Sequence, residues 1–150
     1  MFARALIAFL ACPGIVAIAI PIIWLLVLPP HAPQVQPWGL VPLVVGFVAL
    51  LWCVRDFYVA GKGTLAPWDP PRELVVVGLY RYTRNPMYVA VTLVLLGWSW
   101  TLGSLGLLVY AVAVVIAFQL RVVLGEEPWL ARTFGNQWRQ YASRVPRWFW

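Results

Sequence analysis

The sequence predicts an all-α integral membrane protein with four transmembrane helices, both termini cytoplasmic, and a C-terminal amphipathic helix on the cytoplasmic side. Three observations carry this. Of 150 residues, 63% are hydrophobic and only 11% charged, where a soluble domain is about half apolar and about a quarter charged. Mean hydropathy is +0.82, and a chain this short has too much surface for its volume to hide so much apolar side chain. Finally, four apolar stretches alternate with connections so that every charge falls on one side. Disorder is excluded as well, because disordered chains are poor in apolar residues.

Crossing the hydrocarbon core takes about 20 apolar residues. The first span is read at 5–28. It contains Pro13 and Pro21, which membrane helices tolerate when neighbours satisfy the freed carbonyls. Its start behind Arg4 imitates a signal peptide, but the run is too long for an h-region and no A-x-A site follows. Pro29 and Pro30 end it, and a short connection carries His31. The second span, 38–58, closes on Arg55-Asp56 and then Gly61-Lys62-Gly63. Asn85 as N-cap and Pro86 at the first helical position open the third span, 86–102. That span is short, so it begins in the headgroup region. A tight turn over 103–106 leads into the fourth span, 104–123. The chain is thus one membrane domain, 1–150, with a cytoplasmic loop at 59–85 and a cytoplasmic helix at 126–144.

Eleven Lys+Arg against five Asp+Glu leave a net charge of +6. The arginines are scattered beside apolar segments rather than massed on one face, which argues against nucleic acid as a partner. With four spans, Arg4, the 55–84 charges and everything from Arg121 onward share one face, and the positive-inside rule makes it cytoplasmic. Three or five spans would break that partition, so the expected location is the cell membrane. Trp24, Trp38, Trp98 and Trp100 then approach the outer interface, and Tyr58 and Trp68 the inner one, as aromatic belts do. No Asp, Glu, Lys or Arg lies at mid-membrane depth, which disfavours proton-coupled transport and ion conduction. Cys12 and Cys53 sit in apolar stretches with no CxxC or Cys/His cluster, so no metal or redox site is expected. There is no GxxxG, and the oligomeric state stays open.

Chemistry is therefore confined to two cytoplasmic segments. In 61–88, Gly78-Leu79-Tyr80 leads to Arg81, Arg84 and the Asn85-Pro86 helix start. Free backbone N–H groups there, beside Arg84, suit a carboxylate or phosphate; Arg81 and Arg84 alone would equally serve the positive-inside bias. In 125–150, Glu126 and Glu127 precede Pro128 at a helix start, where acids complement the dipole. Leu130, Phe134, Trp138, Tyr141 and Val145 then form one apolar stripe. Such a stripe could simply rest on lipid.

Taken together, the two segments resemble the integral-membrane methyltransferases of the isoprenylcysteine carboxyl methyltransferase and phospholipid methyltransferase group. Gly78-Leu-Tyr80-Arg-Tyr-Thr-Arg84-Asn-Pro86-Met-Tyr88 is similar to that group's GxYxxxRHPxY. Glu126-Glu127, Leu130, Phe134-Gly135, Tyr141 and Val145-Pro146-Arg147 follow in the family's order. The upstream stretch Gly63-Thr64, Pro67, Pro70 also looks like the family. The resemblance spans 61–148 and implies S-adenosylmethionine as methyl donor. It also implies a donor site formed by Gly78, Leu79, Tyr80, Arg84, Asn85, Pro86, Tyr88, Glu126 and Glu127.

Two positions depart from the family: Asn85 replaces the usual histidine, and Trp138 stands where tyrosine is common. Asn85 can hydrogen-bond but cannot titrate, which tilts the acceptor towards a group needing no general base. The expected activity is methyl transfer to a lipophilic or small acceptor, isoprenylcysteine-carboxylate-like or lipid, at the cytoplasmic face of the bilayer. Arg139 and Arg144 are the expected catalytic residues, orienting an anionic acceptor. The alternatives are a non-catalytic membrane scaffold or subunit that keeps the fold and, more remotely, a nicotinamide-dependent reductase.

Overall fold

A computed structural model describes residues 10–27, 35–62 and 71–149. Arg4, His31, Trp68 and the family-like stretch Gly63, Thr64, Pro67 and Pro70 lie outside the described residues. Among the described residues there is no strand. A π-helical run, Leu10–Ala19, continues into α1, Ile20–Val27. A 3-10 turn at Pro37–Gly39 leads into α2, Leu40–Val59. Next come α3, Pro86–Thr101, and α4, Leu105–Arg121. A π-helical turn, Val122–Glu126, joins α4 to α5, Glu127–Arg144. Among the described residues, each stretch read as a span from the sequence is helical over most of its length. Two stretches, Pro37–Val59 and Leu105–Arg144, are long and apolar enough to cross a membrane, while Pro13–Val27 and Pro86–Thr101 are shorter apolar helices.

α3 is the centre of the assembly: Ala90, Val91, Val94 and Leu95 are at most 1% exposed. By contrast, α2 presents Val41, Val44, Val45 and Val48 outward, and α4 presents Val109, Val112, Ile116 and Leu120. Contiguous apolar faces of this kind suit lipid and not water. Helices in lipid associate through close backbone approach at small residues, and α2 and α3 do so in antiparallel register. A Cβ on Gly97 would come within 2.6 Å of the Leu43 backbone, and one on Gly46 within 2.8 Å of the Ala90 carbonyl and the Val94 nitrogen.

Pro21 has no N–H to offer the carbonyls one turn back. Those carbonyls find side chains instead: Trp98 Nε1 donates to Ala17 O at 3.2 Å and the Tyr110 hydroxyl to Val16 O at 3.1 Å. Trp98 therefore serves packing, whereas Trp38 and Trp100 are 74% and 53% exposed, as interface anchors should be. Trp98→Phe and Tyr110→Phe should each destabilise the protein by about 1 kcal/mol, the scale of hydrogen bonds between membrane helices. Unfolding in micelles measures this, and the cost should shrink in a Pro21→Ala background, where the backbone can again satisfy one carbonyl.

One expectation is corrected. The sequence suggested a fresh helix start at Glu126–Pro128; α5 does begin at Glu127 with Pro128 in its first turn, but it follows α4 through a π-helical turn with no loop between, so the helical path runs on from α4 as far as the break at Gly135. Pro128 would clash with the carbonyl four residues earlier in a regular helix. The π-helical turn at Val122–Glu126 widens the ladder there and lets the helix pass through.

Candidate functional site

The site lies where the segment between α2 and α3 meets α5. Gly78–Arg81 forms a 3-10 turn, and Gly78 has φ +57°, which glycine adopts without steric cost. Space demands glycine too, since a Cβ there would run into the Asp56 carboxylate. The turn drives Tyr80 inward to 6% exposure, its ring tilted against Phe57 at 5.5 Å between centroids. The Tyr80 carbonyl accepts a 2.7 Å hydrogen bond from the Tyr141 hydroxyl. Burial pushes both phenols above their ordinary range, although Arg84 pulls Tyr141 the other way. Neither is a base at neutral pH.

A second join follows. The Arg84 N–H donates to the Pro146 carbonyl at 2.9 Å. Thr83 Oγ1 and Asn85 Nδ2 both donate to the Arg147 carbonyl, at 2.9 and 3.0 Å. Trp148 Nε1 donates to Gln119 Oε1 at 3.0 Å, so residues 145–148 form a strap pinned at both sides. Asn85 stands at the N-cap position with Pro86 next, but its side chain makes no capping bond. Its amide is committed to the strap, which corrects the capping expectation and leaves the start of α3 without a side-chain cap.

The adjacent glutamates diverge. Glu127 accepts two 2.8 Å hydrogen bonds from Arg147 and pairs with Arg84 at 3.0 Å. Hydrogen bonding from Arg147 is the largest influence holding the Glu127 carboxyl below the usual range, with Arg84 acting in the same sense against desolvation. The Arg84 guanidinium lies 5.5 Å from the centre of the Trp138 ring, and its buried Nε has no partner among the described residues. Glu126 turns the other way, accepting from the Tyr88 hydroxyl and, at 2.7 Å, from Arg121 Nε. Both glutamates thus hold ion pairs instead of making capping bonds, and the chain enters α5 directly from the π-helical turn.

Between these networks lies a recess of about 540 Å3, mouth included, walled by Phe57, Tyr80, Arg84, Asn85, Tyr88, Glu126, Leu130, Phe134, Trp138 and Tyr141 among others. Gly135, at φ +50°, breaks the helical path of α5 between Phe134 and Trp138. The stripe expected on α5 therefore lines the recess on both sides of the break, from Leu130 to Tyr141. Three guanidinium groups, Arg84, Arg121 and Arg147, face two carboxylates here, an excess of one positive charge that favours an anionic ligand group.

Of the residues expected at the donor site, Tyr80, Arg84, Asn85, Tyr88 and Glu126 reach the recess wall. Glu127 stands behind Arg84, Gly78 and Leu79 shape the turn, and Pro86 is buried at the start of α3. Arg139 and Arg144 are exposed on α5, outside the lining. Phe57 went unremarked because it reads as ordinary membrane helix. Asp56, 6% exposed with Oδ2 unpartnered among the described residues, enters the sequence reading only as part of the charged close of the second span.

The chain matches the phospholipid methyltransferase family over residues 35–137, a stretch holding α2 to α4, the Gly78–Tyr88 segment and both glutamates. An uncharacterized protein of Haemophilus influenzae is 35% identical over 66 residues, 41% of this chain and 98% of that protein. No solved structure matches. With the family match covering most of the chain, and the motif residues Tyr80, Arg84, Tyr88 and Glu126 gathered around one recess, the chain belongs to the phospholipid methyltransferase family.

Proposed function

We propose that the protein is an integral-membrane, S-adenosylmethionine-dependent methyltransferase acting on a lipophilic or small acceptor, isoprenylcysteine-carboxylate-like or lipid. In this reading the chain is a single four-span domain with both termini cytoplasmic, in the cell membrane, and the recess opens at the cytoplasmic face. The observation that supports it best is the convergence of Tyr80, Arg84, Tyr88 and Glu126 from distant segments on one recess. The donor set suits the cofactor's chemistry. Arg84 and the uncapped start of α3 would take its carboxylate. Glu126 would accept from its ammonium or ribose hydroxyls. Tyr80, Trp138 and Tyr141 offer aromatic faces for adenine and for a cationic sulfur.

When bound, S-adenosylmethionine supplies an activated methyl group for in-line displacement. The protein's own task is then alignment and exclusion of water, and alignment alone is worth about 7–11 kcal/mol of barrier. Asn85 donates to a backbone carbonyl and carries no titratable proton, consistent with an acceptor that needs no base from this position. Labelled-methyl transfer into membrane extracts tests the reading: a labelled lipophilic product is expected. Absence of both product and S-adenosylhomocysteine binding at millimolar ligand would favour the non-catalytic scaffold instead.

Arg139 and Arg144, exposed on the helix that walls the recess, would hold an anionic acceptor headgroup outside it. Arg139→Ala and Arg144→Ala should each raise the acceptor KM by up to about fivefold, as exposed ion pairs allow. The effect should fade at high salt while kcat stays unchanged. A fall in kcat would instead assign them to the reacting centre.

A further inference from the structure

We infer that Arg147 is a positioning residue for the site, acting through Glu127 on Arg84. Its guanidinium grips both oxygens of Glu127 at 2.8 Å, a planar fork that lysine cannot reproduce. The same carboxylate pairs with Arg84 at 3.0 Å, and both of those side chains are well shielded, 14% and 16% exposed. Glu127 is thus fixed from one side so that it can orient a guanidinium on the other. Arg84 is left over Trp138 with an uncommitted, buried Nε.

The strap is what holds Arg147 in place. Its carbonyl accepts from Thr83 and Asn85, the residues on either side of Arg84, and the Arg84 N–H bonds to Pro146. Backbone and side chain therefore tie the same two segments together twice. In this chain Asn85 acts as the strap's anchor, so the position where the resembling family has histidine does structural work on Arg147.

Two readouts test this, and only the second rests on the proposed donor. The first is the Arg84 Nε–H NMR resonance in the ligand-free protein in nanodiscs, displaced by the ring current of Trp138 and assigned by its loss in Arg84→Lys. Arg147→Gln should collapse that displacement, and Arg147→Lys should reduce it in part. In a Glu127→Gln background, Arg147→Gln should move it no further. An unchanged Arg84 resonance in either Arg147 variant overturns the inference, as does an equal further shift in the Glu127→Gln background. The second readout is calorimetric affinity for S-adenosylhomocysteine, expected to weaken about 10-fold or more in Arg147→Gln, the loss of a charge-assisted hydrogen-bond pair, and less in Arg147→Lys. Unaltered affinity in Arg147→Gln overturns it too. If the wild-type protein binds no S-adenosylhomocysteine, the donor reading fails, and the resonance still decides the role of Arg147.

Discussion

Glu127→Ala is expected to abolish S-adenosylhomocysteine binding at millimolar ligand while leaving helical content unchanged. The residue is not on the recess wall, so the effect runs through its partners. Removing the carboxylate strands Arg84 and Arg147, which it holds at 3.0 and 2.8 Å. Breaking a buried pair by deleting one partner costs about 3–5 kcal/mol, and the lower end applies because the Arg147 side chain is 35% exposed. α5 itself survives, since its apolar residues Leu130, Phe134, Trp138 and Tyr141 still pack around the recess. Calorimetry and circular dichroism on the same preparation separate the two effects. Retained binding would dismiss Glu127 as an organiser of the site.

The same carboxylate gives the acid limb of stability a definite sign. Arg147 hydrogen bonding, then Arg84, lowers the folded-state pKa of Glu127 below its unfolded value. A depressed acid contributes stability that is fully present above its unfolded pKa and is lost as pH falls through the folded one. The thermal midpoint should therefore hold level above about pH 5 and fall below about pH 4, the neighbourhood of an ordinary glutamate. Glu127→Ala should flatten that limb. Melting curves from pH 3 to 7 compare the two proteins, and an unaltered limb in the variant would remove Glu127 as its origin.

How much of this was legible follows from which signals act locally. Spans are legible because a run of about 20 apolar residues is a one-dimensional property, and Pro37–Val59 lies where that property put it; the shorter apolar helix Pro86–Thr101 was marked instead by its Asn85-Pro86 start. Pro21 announced freed carbonyls, yet only the fold names Trp98 and Tyr110 as their donors, across sequence separations of 81 and 94 residues. Glu126 and Glu127 were visible as a pair at the site. Their local context suggested dipole capping, whereas Glu127 takes its partners Arg84 and Arg147, and Glu126 its partner Tyr88, from outside the helix turn. Pro128 suggested a fresh start for the same reason, whereas a π-helical turn carries the helical path from α4 through it. Gly135 stood in the matched motif, but its φ of +50° is what lets one helix wall a recess from both sides of a break. Phe57 gave no signal at all, since an aromatic in an apolar span looks the same facing lipid or facing a ligand.

Substituting the glycines between α2 and α3 should separate stability from site geometry. A Cβ on Gly97 would lie within 2.6 Å of the Leu43 backbone, with no flexible side-chain tip to yield, so the two helices must part. Overpacking of this kind costs about 1–3 kcal/mol, and Gly97→Leu should exceed that and lose folded protein. Gly46→Ala presses instead on the Ala90 carbonyl and the Val94 nitrogen at 2.8 Å, one turn from Tyr88. α2 carries Phe57 and α3 carries Met87 and Tyr88, all on the recess wall, so parting the helices at Gly46 widens the recess directly. A misplacement of about 1 Å can cost about 100-fold in rate. Gly46→Ala should therefore lower both the melting midpoint and S-adenosylhomocysteine affinity, whereas Gly97→Ala, at the far end of α3, should lower the midpoint more than the affinity. Gly125→Ala, whose Cβ would meet nothing within 4 Å, should leave the midpoint unchanged. If Gly46→Ala and Gly97→Ala weaken binding equally, the recess does not depend on the α2–α3 spacing beside it, and the packed glycines serve stability alone.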